Sequence, residues 1–303
     1  MNTPSNRLAY KPLRHIKERI IEAGLFLAAF MSVATTFAIV AILVYESIPL
    51  FKVVSLWTFL TDTQWTPLFD DAHYGIMPLV AGTMVTTAVA LAVAIPMGTI
   101  IAIYLSEFAS HKVRESIKPV LELLGAVPTV VYGYFALIFV TPLLQKLMPE
   151  LSGFNMLSAG LVMGIMIVPY VSSVSEDAMR AVPMHIREGS YAMGSTRFQT
   201  ATRVVVPGAF SGIAAAYILG ISRAVGETMI VAVAAGMQPN FTLNPLEPAA
   251  TISSYIVQVA LGDLPHGSIG YQTIFAAGLT LMLMTLVFNV IGYWLSRKFR
   301  EVY

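Results

Sequence analysis

The chain has 303 residues, 56% of them hydrophobic and only 12% charged, with a mean hydropathy of +0.73. A soluble domain carries about a quarter charged residues, and here the deficit is concentrated in long apolar runs, which excludes an ordinary soluble fold. The formal net charge of +1 offers no basic bias toward nucleic acid, and a chain without cysteine has no disulfide, thiolate metal site or cysteine nucleophile.

A bilayer core about 30 Å thick takes roughly 20 apolar residues as a helix. Six stretches meet that requirement and predict an all-α integral membrane protein of six transmembrane helices. In chain order they are residues 24–45, 76–105, 119–144, 156–174, 208–236 and 272–295. Residues 1–23 read as an N-terminal tail and residues 24–303 as one transmembrane domain. The first helix follows a basic segment but is too long for a signal-peptide core, so an uncleaved anchor is expected. Pro78 and Pro96 in the second stretch, Pro128 and Pro142 in the third and Pro169 in the fourth predict packed, kinked helices whose freed carbonyls find other partners.

Lysine and arginine placement gives the orientation. Arg7, Lys11, Arg14, Lys17 and Arg19 precede the first helix. Lys112, Arg114 and Lys118 follow the second, Arg180, Arg187, Arg197 and Arg203 follow the fourth, and Arg297, Lys298 and Arg300 end the chain. The opposite side holds only Lys52 and Lys146, and Arg223 lies inside the fifth helix. Both termini are therefore expected in the cytoplasm. Two long external segments remain. Residues 46–75 carry Trp57, Trp65, Asp62, Asp70 and Asp71, and residues 237–271 carry Pro239, Pro245, Pro248 and Pro265. Each reads either as interfacial anchors and loop-breaking prolines or as a docking surface for an external partner.

No GxxxxGK[ST], HExxH or GxSxG occurs, and His15, His73, His111, His185 and His266 are scattered without metal-ligand spacing. Glu227 and the helical hydroxyls have no visible nucleophile–base pairing. Transport is expected rather than catalysis, with no cofactor and no metal.

Within the third stretch Pro128, Thr129, Tyr132 and Gly133 fall in one or two turns. They form either a packing kink or a pathway-lining segment, because non-ideal helix persists where it is buried in protein or lines a cavity. Glu122, just inside the basic loop, is expected at the interface. In the fifth stretch Arg223 lies about 22 Å along the helix from Gly208 at 1.5 Å per residue. Arginine at a helix centre costs about 3 kcal/mol on the insertion scale, so a partner or a role is expected. Glu227, four residues on, would share its face. The pair either neutralises itself or binds across to another subunit, or Arg223 lends positive charge to a translocation route while Glu227 holds it in place and weakens binding.

The cytoplasmic segment 175–207, SEDAMRAVPMHIREGSYAMGSTRFQTATRVVVP, is patterned. One helical pattern stops before Pro183 and a second runs over 184–193. Gly194 breaks it, and Ser195 or Thr196 can cap a third helix toward Pro207. Short amphipathic helices joined by glycine suit either a partner's groove or the lipid surface.

This segment resembles the EAA loop of ABC importer permeases. Glu188 takes the Glu place, Gly189 and Ser190 replace the two alanines with other small residues, Gly194 keeps the spacing, and Val204, Val205, Val206 and Pro207 close it. LGAVPTVVYGYFAL over 124–137, SRAVGETM over 222–229 and the run 82–109 resemble phosphate permeases. Met229 after GET and the Trp-containing first external loop resemble the PstC-type subunit rather than its PstA-type sister. The resemblance covers nearly all of the chain after about residue 25. It implies the type I importer permease (MetI-like) fold with a cytoplasmic coupling helix, in a bacterial inner membrane. It implies partners: a sister permease in a heterodimer, two ATPase subunits that bind the ATP, and an external phosphate-binding protein. It implies ATPase coupling through Glu188, Gly189, Ser190, Gly194 and Pro207, and a substrate pathway at Arg223 and Glu227, with Thr129 and Tyr132 on it. Sulfate and molybdate permeases share a related R-A-x-G-E, leaving another oxyanion as the alternative, with an ATP-independent channel or secondary transporter, or a membrane enzyme, behind it.

Overall fold

The computed structural model describes residues 12–67, 69, 71–262, 264–265 and 267–298, with side chains from residue 17 onward. Arg7, Lys11, Asp70, His266 and Arg300, and the side chains of Arg14 and His15, lie outside the described residues. The helices are α1 (Pro12–Val53), α2 (Leu56–Thr61), α3 (Met77–Phe108), α4 (His111–Ala126), α5 (Thr129–Gln145), α6 (Met156–Arg180), α7 (Met184–Ala192), α8 (Arg197–Gly208), α9 (Phe210–Val225), α10 (Met229–Ala234), α11 (Ile252–Ala260) and α12 (Ile269–Lys298). One isolated antiparallel bridge, Trp65 to Tyr74, is the only extended pairing among the described residues.

Four helices, α1, α3, α6 and α12, are each long and apolar enough to cross a membrane. Two bent pairs, α4 with α5 at 87° and α8 with α9 at 73°, bring the count to six when each pair is taken as one span. Most of α1 presents apolar side chains outward, Phe26 and Phe37 both more than 70% exposed, as a lipid-facing helix must. It packs along α12, with Leu43 against Gly278, and buries Ser47 and Leu50 near its C-terminal end.

The centre is the α3–α6 pair. Gly160 and Gly164 of α6 face α3 so closely that a Cβ would stand 2.7 Å from Val89 Cβ and 2.7 Å from the Ala90 carbonyl oxygen, respectively. Small residues four apart let two membrane helices approach at backbone distance, where packing rather than hydrophobicity holds them. Ala90, Ala94, Met163, Ile167 and Val171 fill this contact, and Tyr132, Ile230 and Ala234 close it from α5 and α10. A second apolar cluster joins the end of α1 to the 46–75 segment, α11 and α12, with Phe59, Trp65 and Tyr255 packed edge to face. Trp65 is therefore a core residue, whereas Trp57 is exposed and free to act as an anchor. A third cluster, including Met179, Val182, Val205 and Ile213, ties the 175–207 segment to the helix ends.

Two expected spans are not continuous. The stretch 119–144 turns sharply between Ala126 and Thr129. Pro128 bars an α conformation at Val127, which sits extended at φ −65°, ψ 130°. The residues before the bend belong to α4, an amphipathic helix with no buried residue that begins at His111, capped by Ser110. The stretch 208–236 breaks too. α9 ends at Val225, and α10 restarts only at Met229. Glu227 lies in the break, and its Oε1 accepts the backbone N–H of Met229 at 3.1 Å and of Ile230 at 3.4 Å, satisfying the first donors of the new helix.

Candidate functional site

The segment after α6 folds as three short pieces, each with a local cause. Pro183 precedes α7, where its missing N–H costs nothing. Gly194 takes φ +82°, a left-handed value that side chains resist. Its N–H donates to the Tyr191 carbonyl at 2.9 Å, and the Ser195 N–H to the Ser190 carbonyl at 3.2 Å, closing the C-terminal end of α7. Thr196 and Gln199 then form a reciprocal capping box that starts α8. Ser190 Oγ lies 2.9 Å from Thr200 Oγ1 and holds α7 against α8.

The two faces of α7 differ. Glu188 is exposed, and nothing lies within 4 Å of the Cβ position of Gly189 or of Gly194. That outward surface is open to a partner. Arg187 points the other way and is nearly buried. Its Nη2 donates to the Met179 carbonyl at 2.7 Å and stands 3.1 Å from Glu107 Oε1, and its Nη1 donates to the Val182 carbonyl. One guanidinium thus fastens α7 to the last turn of α6 and to the end of α3. Pro207 is not beside these residues. It sits exposed at the far end of α8, about 10 Å of helix beyond Thr200 at 1.5 Å per residue, where α8 bends into α9.

Next to this anchor, Glu176 on α6 is fully buried and surrounded by cations. Lys118 Nζ is 2.7 Å from Oε2, Arg114 Nε 3.6 Å from Oε1 and Arg180 Nη1 3.7 Å from Oε1. Two of the three come from α4, so the carboxylate pins α4 across α6. Glu122 of α4 is exposed and lines, with Gly125, Pro169 and Tyr170, a cavity of about 420 Å³ between the same two helices.

Arg223 and Glu227 do meet, Nη2 to Oε2 at 3.8 Å, although the helix ends between them. The expectation of one continuous helical face is corrected: Glu227 is buried at the break, and its carboxylate serves the α10 cap as well as the arginine. Arg223 keeps 42% of its side chain exposed and lies over the Tyr170 ring, 5.9 Å from its centroid. Tyr170 in turn approaches Gly125 at the α4–α5 bend, which brings the bend close to Arg223. Tyr132 is buried, and its hydroxyl donates to the Leu124 carbonyl across the bend at 2.7 Å, while Thr129 at the start of α5 is half-buried. Thr129 is thus the more accessible of the two.

Sequence reasoning missed Arg187, Glu107, Glu176 and Tyr170. Arg187 stood beside the singled-out Glu188, and a helical wheel of 184–192 puts it on the opposite face, but Glu107 is 80 residues away and carries no local signal. Glu176 could have been suspected as an acid amid basic loops.

Comparison with known proteins follows the same lines. The family described as "Binding-protein-dependent transport system inner membrane component" matches residues 94–301. A "Probable ABC transporter permease protein YqgH" of Bacillus subtilis is 34% identical over 290 residues, covering 95% of this chain and 93% of that protein. A "Phosphate transport system permease protein PstC" of Mesorhizobium japonicum is 31% identical over 264 residues, covering 80% of this chain and 79% of that protein. Among solved structures, a chain of a bacterial alginate ABC transporter superposes with a TM-score of 0.66 at 16% identity, over 97% of this chain and 99% of that one. At that identity the likeness speaks for the fold alone.

Proposed function

The chain belongs to the family of binding-protein-dependent transport system inner membrane components, and from that membership we propose that it is the PstC-type permease of an ATP-driven phosphate importer. It is a membrane subunit of an ABC importer. ATP hydrolysis is the work of a separate ATPase, and an external binding protein delivers substrate. The observation that carries the finer reading is the open face of α7, with Gly194 at its end, in a chain related along most of its length to phosphate permeases.

In this reading Glu188, Gly189, Ser190 and Gly194 present α7 to the ATPase, and Pro207 sits at the hinge that turns α8 into the membrane. Closure of the ATPase pair pushes α7. Arg187 passes that push to α6 and α3, the closely packed centre of the fold. The moving body carries the break at Gly226–Thr228, where Arg223 offers its exposed guanidinium to an oxyanion and Glu227 limits how tightly it is held. Thr129 borders the route, and buried Tyr132 stiffens the bend beside it. A PstA-type sister permease completes the translocation path as a heterodimer, and the basic loops place both termini in the cytoplasm.

The test is uptake of labelled phosphate by cells lacking this chain, with and without its restoration, and with sulfate and molybdate as competitors. Restored uptake that only phosphate competes for is expected. Restoration competed for by sulfate or molybdate instead would move the assignment to another oxyanion. Uptake independent of the ATPase would overturn the importer reading.

A further inference from the structure

Between the inner face of α7 and the ends of α3, α4 and α6 lies a cavity of about 440 Å³. Arg114, Arg180, Arg187 and Arg197 line it, with Ser106 and Tyr191. Against these four guanidiniums the wall contributes one carboxylate, Glu107, already engaged by Arg187 and by the Ser106 hydroxyl at 2.8 Å. Glu176 behind the wall answers Arg114 and Arg180 and shares Lys118 with Asp177, which stands 3.4 Å from Nζ, so five cations meet three carboxylates. The cavity therefore keeps an excess of positive charge. Arg197 has no side-chain hydrogen bond or ion pair among the described residues, and Arg180 remains half-exposed. Like charges gathered round a concave space repel each other unless an anion enters.

We propose that this cavity is a cytoplasmic binding site for a phosphate group, either free inorganic phosphate or the headgroup of an acidic phospholipid, separate from the translocation path at Arg223. The planar forks of several arginines, set around one space, suit the multiple acceptor oxygens of a phosphate. The occupant would bridge Arg187 of α7 and Arg197 of α8 to Arg114 of α4 and Arg180 of α6. It thereby clamps the coupling segment onto the transmembrane body, on the face away from Glu188 and Gly189. Binding that favours this seating of α7 opposes any state in which α7 moves away.

The chain contains no cysteine, so a Tyr191→Cys variant reports on the cavity directly. The complete transporter, purified in a sugar-headgroup detergent and phosphate-free buffer, is treated with a small water-soluble thiol reagent, and labelling of this chain is followed. Inorganic phosphate is added in one arm and phosphatidic acid in the other. Labelling is expected to slow about tenfold in at least one arm once the anion reaches ten times its dissociation constant. The arm that protects identifies the source. Adding Arg180→Gln and Arg197→Gln to the reporter should abolish the protection, and a Ser106→Cys reporter should reproduce it. Equal labelling in all arms overturns the proposal, as does protection that survives loss of both arginines or a cavity that never labels. A failure of phosphate uptake would not bear on this result, because the reporter lies under α7 and not beside Arg223.

Discussion

Replacing Arg187 by methionine is the most informative perturbation of the coupling segment. Methionine fills much of the same volume but leaves Glu107, only 6% exposed, without its cation and strips the Met179 and Val182 carbonyls of a charged donor. Breaking a buried pair by removing one partner costs about 3–5 kcal/mol. Ser106 still donates to Glu107, which argues for the lower end, about 3 kcal/mol. The thermal midpoint of the purified transporter should then fall by a few degrees, about 5 °C at most. Arg187→Met with Glu107→Gln removes the uncompensated charge and should recover about 1–2 kcal/mol of that loss. Coupling is the second readout. With the ATPase docked on the other face of α7, as proposed, it should still co-purify, while ATP hydrolysed per substrate imported rises in proteoliposomes, in the single and the double variant alike. Unchanged stability together with an unchanged ratio of hydrolysis to uptake would refute the idea that Arg187 links α7 to α6 and α3.

Three further outcomes are expected. Gly194→Val meets open space, so its cost is conformational, about 1–2 kcal/mol for forcing a side chain into the left-handed region; membrane abundance should stay normal while ATPase co-purification and uptake are lost, and normal values of both would show that the turn is not needed for coupling. Arg223→Gln should abolish uptake at normal abundance and Glu227→Gln, which keeps an acceptor oxygen for the α10 cap, should impair it; recovery of uptake in the double variant would remove the pair from the substrate route. In the 46–75 segment, the hydrogen bond to Asp62 raises the pKa of His73, with Asp71 adding to it, and partial burial works against it. Burial pushes Asp62 up, but the hydrogen bond from His73 and the Gln64 N–H outweigh it and hold the carboxyl below its usual range. A raised histidine contributes fully below its unfolded pKa of about 6.5 and loses that contribution as pH rises through the folded value, and a lowered aspartate contributes above about 3.9 and loses it as pH falls through its folded value. The stability difference between the wild type and His73→Gln should therefore be largest between these limits and vanish in alkaline buffer, and an equal difference at pH 5.5 and pH 9 would exclude the pair as its cause.

Composition and periodicity by themselves determined the class of this protein. Long apolar runs can satisfy their backbone in lipid only as helices, and the positions of α1, α3, α6 and α12 follow from run length alone. The local fold of the 175–207 segment was equally legible, because Pro183, Gly194 and Thr196 act through local backbone chemistry that needs no partner: a missing donor, a left-handed turn and a capping hydroxyl. Tertiary structure decided whatever depends on distance through space. Hydropathy averages over a window and could not see that Pro128 turns one apolar run through 87°, or that Glu227 would rather cap α10 than continue α9. Nor could it find the partners of buried charge, since Arg187 reaches Glu107, and Glu176 reaches Lys118, only after α3, α4, α6 and α7 have packed. A charge in a loop and a charge in a low-dielectric seam read the same in sequence, and they differ only once neighbouring helices have excluded the water.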